Sequence, residues 1–259
     1  MKKLLYLSVV IAAMSFIVSC EKNGLTFSDY TSVDEGKSQL KVNFFSMYRA
    51  LPPYQIKIND ARVSNNLLNN ANPTPFPGGG LNTGGGNFPD YLAVNTGNNN
   101  IAISLPKVGT ATDSVLLGST TANLSSGKKY SLYFADTAAN MTTLLVEDSL
   151  STPDSGFVKF KFINLIPDMT AVDLYVGTVK VASNIPYKGV SPSFILPTNN
   201  ASTTWALRTV GGTTNLTPTY ASASTIANQR VFTIIARGYN SITSTSDPRQ
   251  RKISFVYNR

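Results

Sequence analysis

The sequence predicts an all-β fold made of two tandem Ig-like antiparallel β-sandwich domains, and three observations carry that expectation. Short alternating or apolar runs recur along the chain with Gly, Pro, Ser, Thr and Asn between them, as half-buried strands and their turns require. Only three glutamates are present, and no stretch has the apolar spacing of an amphipathic helix. The strand pattern also repeats, and 259 residues suit two domains of roughly 100 to 200 residues each.

Composition narrows the chemistry before any motif is read. With 42% hydrophobic and 10% aromatic residues the chain can bury real cores. Its 14% charged content, against roughly 25% in an average soluble protein, is too low for charge-driven disorder. There is no histidine, which removes histidine triads, imidazole metal ligands and histidine acid–base chemistry together. The single cysteine, Cys20, can make neither an internal disulfide nor a thiolate cluster. No catalytic residue, metal ligand or cofactor is therefore assigned.

The first element is a leader. Met1-Lys2-Lys3 is a basic start, and Leu4 to Val18 is an apolar run shorter than the roughly 20 residues of a spanning helix. The run ends in Ile17-Val18-Ser19-Cys20, which resembles the bacterial lipobox. That resemblance implies a lipoprotein signal peptide over residues 1–19 and lipidation of Cys20 as the mature N-terminus. An ordinary membrane anchor or a buried thiol is the plainer alternative, and the place of the only cysteine at the end of a signal-length run speaks against it. Residues 20–38 are then the lipidated cysteine and a polar, flexible tether. An acidic or Lys-containing segment just after the cysteine loosely resembles the export signals of surface lipoproteins in Bacteroidota, but Cys20-Glu21-Lys22-Asn23 matches them poorly. Attachment to the membrane through lipid alone, in the outer membrane of the cell envelope and facing the surface, is the expectation. Without Lys2 and Lys3 the chain has 20 basic and 14 acidic residues, a net +6 thinly spread. Only Arg249-Gln250-Arg251-Lys252 clusters, so nucleic acid is not an expected partner.

Strand signals then follow in order. Residues 39–149 form the first expected sandwich, with runs at Gln39 to Tyr48, Gln55 to Asn59, Tyr91 to Asn95, Asn100 to Leu105, Ser114 to Leu117, Tyr130 to Ala135 and Thr143 to Glu147. Residues 150–156 read as a linker. Residues 157–259 form the second sandwich, with runs at Phe157 to Asn164, Val172 to Val176, Ser193 to Leu196, Thr204 to Val210, Arg230 to Arg237 and Lys252 to Tyr257.

The two sets superpose in sequence. Val42 to Ser46 lies on Phe160 to Asn164, and Ile56 to Ile58 on Leu174 to Val176, at an offset of 118. Tyr130 to Phe134 lies on Phe232 to Ala236 at an offset of 102. The difference places an insertion in the first copy. Residues 69–88, with Pro73, Pro75, Pro77 and two Gly-Gly-Gly runs, have no evident face to bury and are expected to be a disordered surface loop.

The second copy carries a resemblance. Phe160 to Asp168, Ala171 to Val176 and Val181 to Tyr187, followed by the strand Phe232 to Gly238, resemble the family called domain of unknown function 4397, over roughly residues 157 to 238. The first copy departs from that pattern, with Ser46, Ala50 and Gln55 where the second has Asn164, Asp168 and Asp173. The resemblance implies secreted or surface β-sandwich modules of no established activity.

Candidate chemistry is sparse. Asp168 and Asp173 could be paired carboxylates or calcium ligands, but a turn and a strand start explain both more simply. Ser125 and Ser126 each stand three residues before a lysine, the spacing of a serine nucleophile with a lysine base, yet Gly127 marks the stretch as a turn. Ser114, Thr137 and Ser149, each after an Asp and before a small or aliphatic residue, resemble the O-glycosylation signal of Bacteroidota. Trp205 is expected between the sheets, whereas Tyr48, Tyr54 and Tyr91 lie near loop ends and are less constrained.

By subtraction the expected function is non-enzymatic: a lipid-anchored surface adhesion or interaction module meeting an extracellular protein or glycan through a mostly apolar contact. The alternative is an accessory glycan-binding lipoprotein of a polysaccharide uptake system. A glycan binder should set aromatic rings beside polar side chains, and a hydrolase should converge carboxylates in a cleft.

Overall fold

The structure, a computed structural model, describes residues 36–64, 68, 75–83, 89–107, 110, 112–148, 151–201, 203–221 and 226–259. Its strands are β1 (Lys37–Phe44), β2 (Gln55–Ile58), β3 (Ala61–Arg62), β4 (Pro75–Phe76), β5 (Gly80–Leu81), β6 (Leu92–Asn95), β7 (Gly97–Pro106), β8 (Asp113–Leu124), β9 (Lys129–Ala135) and β10 (Thr142–Glu147). They continue as β11 (Phe157–Asn164), β12 (Ala171–Val176), β13 (Val179–Pro186), β14 (Phe194–Pro197), β15 (Thr204–Thr209), β16 (Leu216–Ala221), β17 (Val231–Arg237) and β18 (Lys252–Tyr257). A helical turn at Thr198–Ala201 and a 3-10 turn at Ala138–Asn140 are the helical segments among the described residues.

The chain is all-β and folds as two Ig-like sandwiches. In the first, the sheet β10-β9-β1-β4, with β6 also on β1, faces the sheet β3-β2-β7-β8. Leu40, Val42 and Phe44 from β1 meet Ile56 and Ile58 from β2 and Ile101 and Ile103 from β7 in its core. In the second, β14-β11-β17-β18-β5 faces β13-β12-β15-β16, with Trp205 fully buried between them against Phe160 and Phe255. Each sandwich has one parallel pair among its antiparallel ladders: β1 on β9 and β11 on β17. A parallel neighbour needs a long crossover, and in each copy the opposite sheet supplies it.

The hydrogen-bond registers refine the repeat. Phe44 is opposite Phe134 and Asn164 is opposite Ala236, so with the last strands related by 102 the first strands are related by 120, two more than the apolar pattern suggests. On that register Lys41 corresponds to Lys161. β1, β9, β11 and β17 are largely buried on both faces, as strands covered on both sides are. Phe45, Tyr133, Ala135 and Val146 from the first sandwich form a third core with Ile163, Leu165, Ile235 and Val256 from the second. The two sandwiches are thus packed back to back, and the described residues belong to one compact unit.

The Gly/Pro-rich insertion departs from expectation. Residues 75–83 of it are ordered strand and turn: β4 pairs with β1 of the first sandwich, and β5 pairs with β18 of the second. Phe76 packs on the first core, while Leu81 belongs to the second. The insertion is a clasp between copies. Gly80 allows it, because a Cβ there would lie 2.9 Å from the Phe255 carbonyl oxygen and 2.5 Å from Thr83 Oγ1. Smaller differences occur elsewhere. Lys37 and Ser38, assigned to the tether, already belong to β1 and face Asn95 and Val94. The strands β3, β13 and β16 carried no strand signal in the sequence.

Candidate functional site

The seam between the sandwiches is built symmetrically. Lys41 Nζ donates to the Tyr257 carbonyl oxygen at 2.5 Å, and its counterpart Lys161 donates to the Glu147 carbonyl oxygen at 2.8 Å. Tyr257 and Glu147 are themselves counterparts, opposite Phe232 and Tyr130 in their ladders. Each copy therefore clamps the last residue of the other's final strand, as in an isologous dimer interface. The next residues, Asp148 and Asn258, meet near the centre, with Asn258 Nδ2 3.4 Å from Asp148 Oδ1 and 2.7 Å from Thr233 Oγ1. Asp148 also accepts from Ser131 Oγ at 2.5 Å and Tyr91 Oη at 3.1 Å. Burial raises the Asp148 carboxyl above its ordinary pKa, although Ser131, Lys161 and Lys41 oppose the shift. Burial lowers Lys41 to about 8, against the pull of Asp148 and Asp90. These groups are enclosed and engaged with one another, which fits a structural junction.

A cleft of about 380 Å³ opens at one end of this seam. The chain after β1 supplies Met47, Tyr48 and Arg49, and the β9–β10 connection supplies Asp136, Thr137 and Asn140. From the other sandwich, the β17–β18 loop supplies Tyr239, Ser241, Ile242 and Arg249. Gly238, at φ +87°, starts that loop, and a Cβ there would lie about 2.5 Å from the Arg249 and Gln250 carbonyl oxygens. Asp168 holds the loop's shape by accepting the backbone N–H groups of Asn240 at 2.7 Å and Ser241 at 2.8 Å. Partial burial alone would raise the Asp168 carboxyl, but these donors outweigh it and the pKa falls. Arg251 completes the support, donating from Nη1 to the Asn240 backbone and side-chain oxygens at 3.0 and 2.6 Å.

Inside the cleft the carboxylates are satisfied by neighbours. Asp136 Oδ1 accepts from Tyr239 Oη and from the Thr137 N–H, both at 2.8 Å. Burial and the Asp136 contact push the Tyr239 phenol up to about 12, despite the opposing Thr137 bond. Asp247, beside the cleft, is gripped by Arg249 through Nε at 3.0 Å and Nη2 at 2.8 Å, which holds its carboxyl at about 2. Arg49 is exposed and makes no hydrogen bond or ion pair among the described residues, although its charge helps to lower the Asp247 carboxyl. Beneath Met47 lies Arg237, fully enclosed, with Nε on Ser254 Oγ at 2.7 Å, Nη1 at 3.5 Å from Met47 Sδ and Nη2 on the Asn82 carbonyl at 3.2 Å. No carboxylate is among its partners, and burial lowers it to about 10.

The expected site residues scatter. Cys20 and Ser149 lie outside the described residues. Ser114 is exposed on β8, its hydroxyl bonded to the Leu105 carbonyl at 3.0 Å. Thr137 lines the cleft, so a sugar attached there would occupy it. Asp173 accepts from the Asn184 and Gly211 N–H groups and pairs with Lys180 at 2.8 Å, while Asp168 serves a different loop. The two carboxylates do structural work in separate places. Ser125 to Lys128 is the β8–β9 turn, with Lys128 on Glu147 at 2.7 Å. Of the three tyrosines near loop ends, Tyr48 reaches the cleft, Tyr54 is fully buried in the first core, and Tyr91 is tied to Asp148. Of the basic run Arg249-Gln250-Arg251-Lys252, Arg249 lines the cleft and Arg251 braces its loop through Asn240, roles that the charge alone did not suggest. The lining of this cleft is largely polar, with Met47 and Ile242 as its aliphatic members, whereas the sequence led to the expectation of a mostly apolar partner contact.

Comparison with known proteins gives one family. Residues 50–175 match the model of the family described as Domain of unknown function (DUF4397). The match runs from the end of the Met47 to Arg49 loop through the first sandwich and stops within β12, overlapping the stretch that carried the resemblance in sequence only at its beginning. No curated protein matches the chain.

Proposed function

With a DUF4397 match over residues 50–175 as the premise, we propose that this protein is a non-enzymatic, lipid-anchored cell-envelope protein that acts as a surface interaction module through its seam cleft. The carrying observation is that loops from both sandwiches converge on one rimmed cleft whose lining carboxylate, Asp136, is already bonded internally through Oδ1. A glycoside hydrolase would need a carboxylate pair flanking open space. Here Asp136 is the acidic lining residue among the described ones, and its Oδ1 holds Tyr239 and the Thr137 N–H. The clamped, clasped seam supports the same view, because a site assembled from two domains needs them fixed relative to one another.

A second role, an accessory glycan-binding lipoprotein of an uptake system, is favoured by the two tyrosines set among hydroxyl and amide side chains. Anchoring is tested by Cys20→Ser, which should move the chain from the envelope fraction to the soluble fraction; retention in the envelope would refute the lipid anchor. Binding is tested by probing arrays of glycans and extracellular matrix proteins with the purified chain and with Ser241→Trp, which fills the cleft. Signal lost in the variant supports the proposal. Signal unchanged by it, or cleavage of an arrayed glycan, would overturn it.

A further inference from the structure

We infer that the seam cleft takes a carboxylate-bearing saccharide, a uronic acid in a glycan chain, with Arg49 as the residue that meets its carboxylate. The inference rests on the interaction-module proposal and names its ligand. Three carboxylates lie at or beside the cleft and each is engaged: Asp136 through Oδ1 by Tyr239 and the Thr137 N–H, Asp168 by the Asn240 and Ser241 N–H groups, and Asp247 by the two-pronged grip of Arg249. Against these three stand the guanidiniums of Arg49, Arg237, Arg249 and Arg251, so the cationic side is left in excess by one charge. Arg49 stands exposed on the rim, close enough to Asp247 for its charge to act on that carboxyl but without a hydrogen bond to it among the described residues, and Arg249 keeps Nη1 after spending Nε and Nη2 on Asp247. Arg237 lies behind Met47, enclosed and without a carboxylate partner, so its field is weakly screened. A planar guanidinium on a rim, backed by a buried cation, matches a carboxylate in shape and sign.

The remaining lining selects the body of the ligand. Asn140 and Ser241 line it with amide and hydroxyl groups, and Tyr48 and Tyr239, whose hydroxyls are held by the Ala138 N–H and by Asp136 and Thr137, present ring faces, the combination that suits a hydroxyl-rich ring with apolar C–H faces. An acidic peptide fits less well, since peptide anchors are apolar side chains in apolar pockets and the lining is mainly polar. The volume, about 380 Å³, lies at the small-ligand end of binding sites.

The experiment is calorimetric titration of the purified chain with galacturonate, glucuronate and mannuronate trisaccharides, each beside its methyl ester, which keeps the ring and removes the charge. At least one acid should bind, with its ester about tenfold weaker or worse. Arg49→Ala should erase that difference, and Arg49→Lys should restore part of it. Weakening of the acid between about 50 and 500 mM salt should accompany it. Equal binding of acid and ester would overturn the uronate assignment and leave a neutral-glycan module standing. Tighter binding of a tetra-aspartate peptide than of every saccharide would replace the ligand class. Binding of no saccharide in either form would overturn both this inference and the glycan reading of the cleft.

Discussion

At the scale of single residues, the seam turns on charges held out of water. Lys41 has its pKa lowered to about 8 by burial, with Asp148 and Asp90 pulling it up and Lys129 pushing it further down. Below pH 8 the folded and unfolded chains both carry the proton, and the folded chain bears the full cost of enclosing it. Above pH 8 the folded chain releases the proton before the unfolded chain does at 10.5, so the unfolded state binds more protons and stability rises with pH. Relative to Lys41→Met, which keeps the length and removes the titration, the native chain should gain about 1 kcal/mol between pH 7 and pH 9, roughly 2 to 4 °C in melting temperature. Parallel melting curves for the two proteins across that range would show that Lys41 is solvated. This lysine was invisible as a pair partner in the sequence. An offset of 118 sets Lys161 against Asn43, and only the hydrogen-bond register, at 120, sets it against Lys41. Apolar alternation constrains register modulo two, so a slip of two residues leaves every face correct and the pairing wrong.

Among elements, legibility follows length. The runs of alternating or apolar residues that were long enough to show a period correspond to strands, from β1 to β18, because burial of a face repeats every second residue. β16, Leu216–Ala221, is hidden by Pro218, which an edge strand tolerates. The clasp is hidden for a different reason: β4 and β5 have two residues each, and two residues have no period. Its consequences are nonetheless large. Asn82, just after β5, bonds the Ile253 carbonyl through Nδ2, while its own carbonyl receives Arg237 Nη2 and Ser254 Oγ. Removing residues 75–83 would expose the β18 edge and leave the enclosed Arg237 with one protein acceptor fewer, a loss of about 3 kcal/mol or more, roughly 6 to 12 °C in melting temperature. Gly80→Val should cost about 1 to 3 kcal/mol by overpacking against Phe255 and Thr83. Leu81→Ala should cost about 2 to 3 kcal/mol through the cavity it leaves in the second core. Melting temperatures unchanged by all three would show that the clasp rests on the surface.

For the whole molecule, the repeat announces two domains, and packing makes them one body. What sequence cannot display is which exposed-looking faces cover each other: Tyr133 and Ile235 read as ordinary strand residues, yet each sits in the third core between the sandwiches. The site follows from that packing, since Tyr48 and Arg49 are some 190 residues from Tyr239 and meet it only because the copies dock back to back. A direct test is to replace residues 151–154 of the linker with a protease site and cleave it. If the linker alone held the sandwiches together, the products would separate on dilution. The third core, the reciprocal Lys41 and Lys161 clamps and the β5–β18 pairing instead cross from one copy to the other without using the linker. The cleaved chain should therefore co-elute at the size of the intact protein at micromolar concentration and melt in one transition. Adding Val256→Arg, which buries a charge in the third core, should split the melt into two transitions and let the cleaved halves elute apart. Separation of the halves without that substitution would mean that the seam is a loose contact, and the cleft built across it could not be a fixed site.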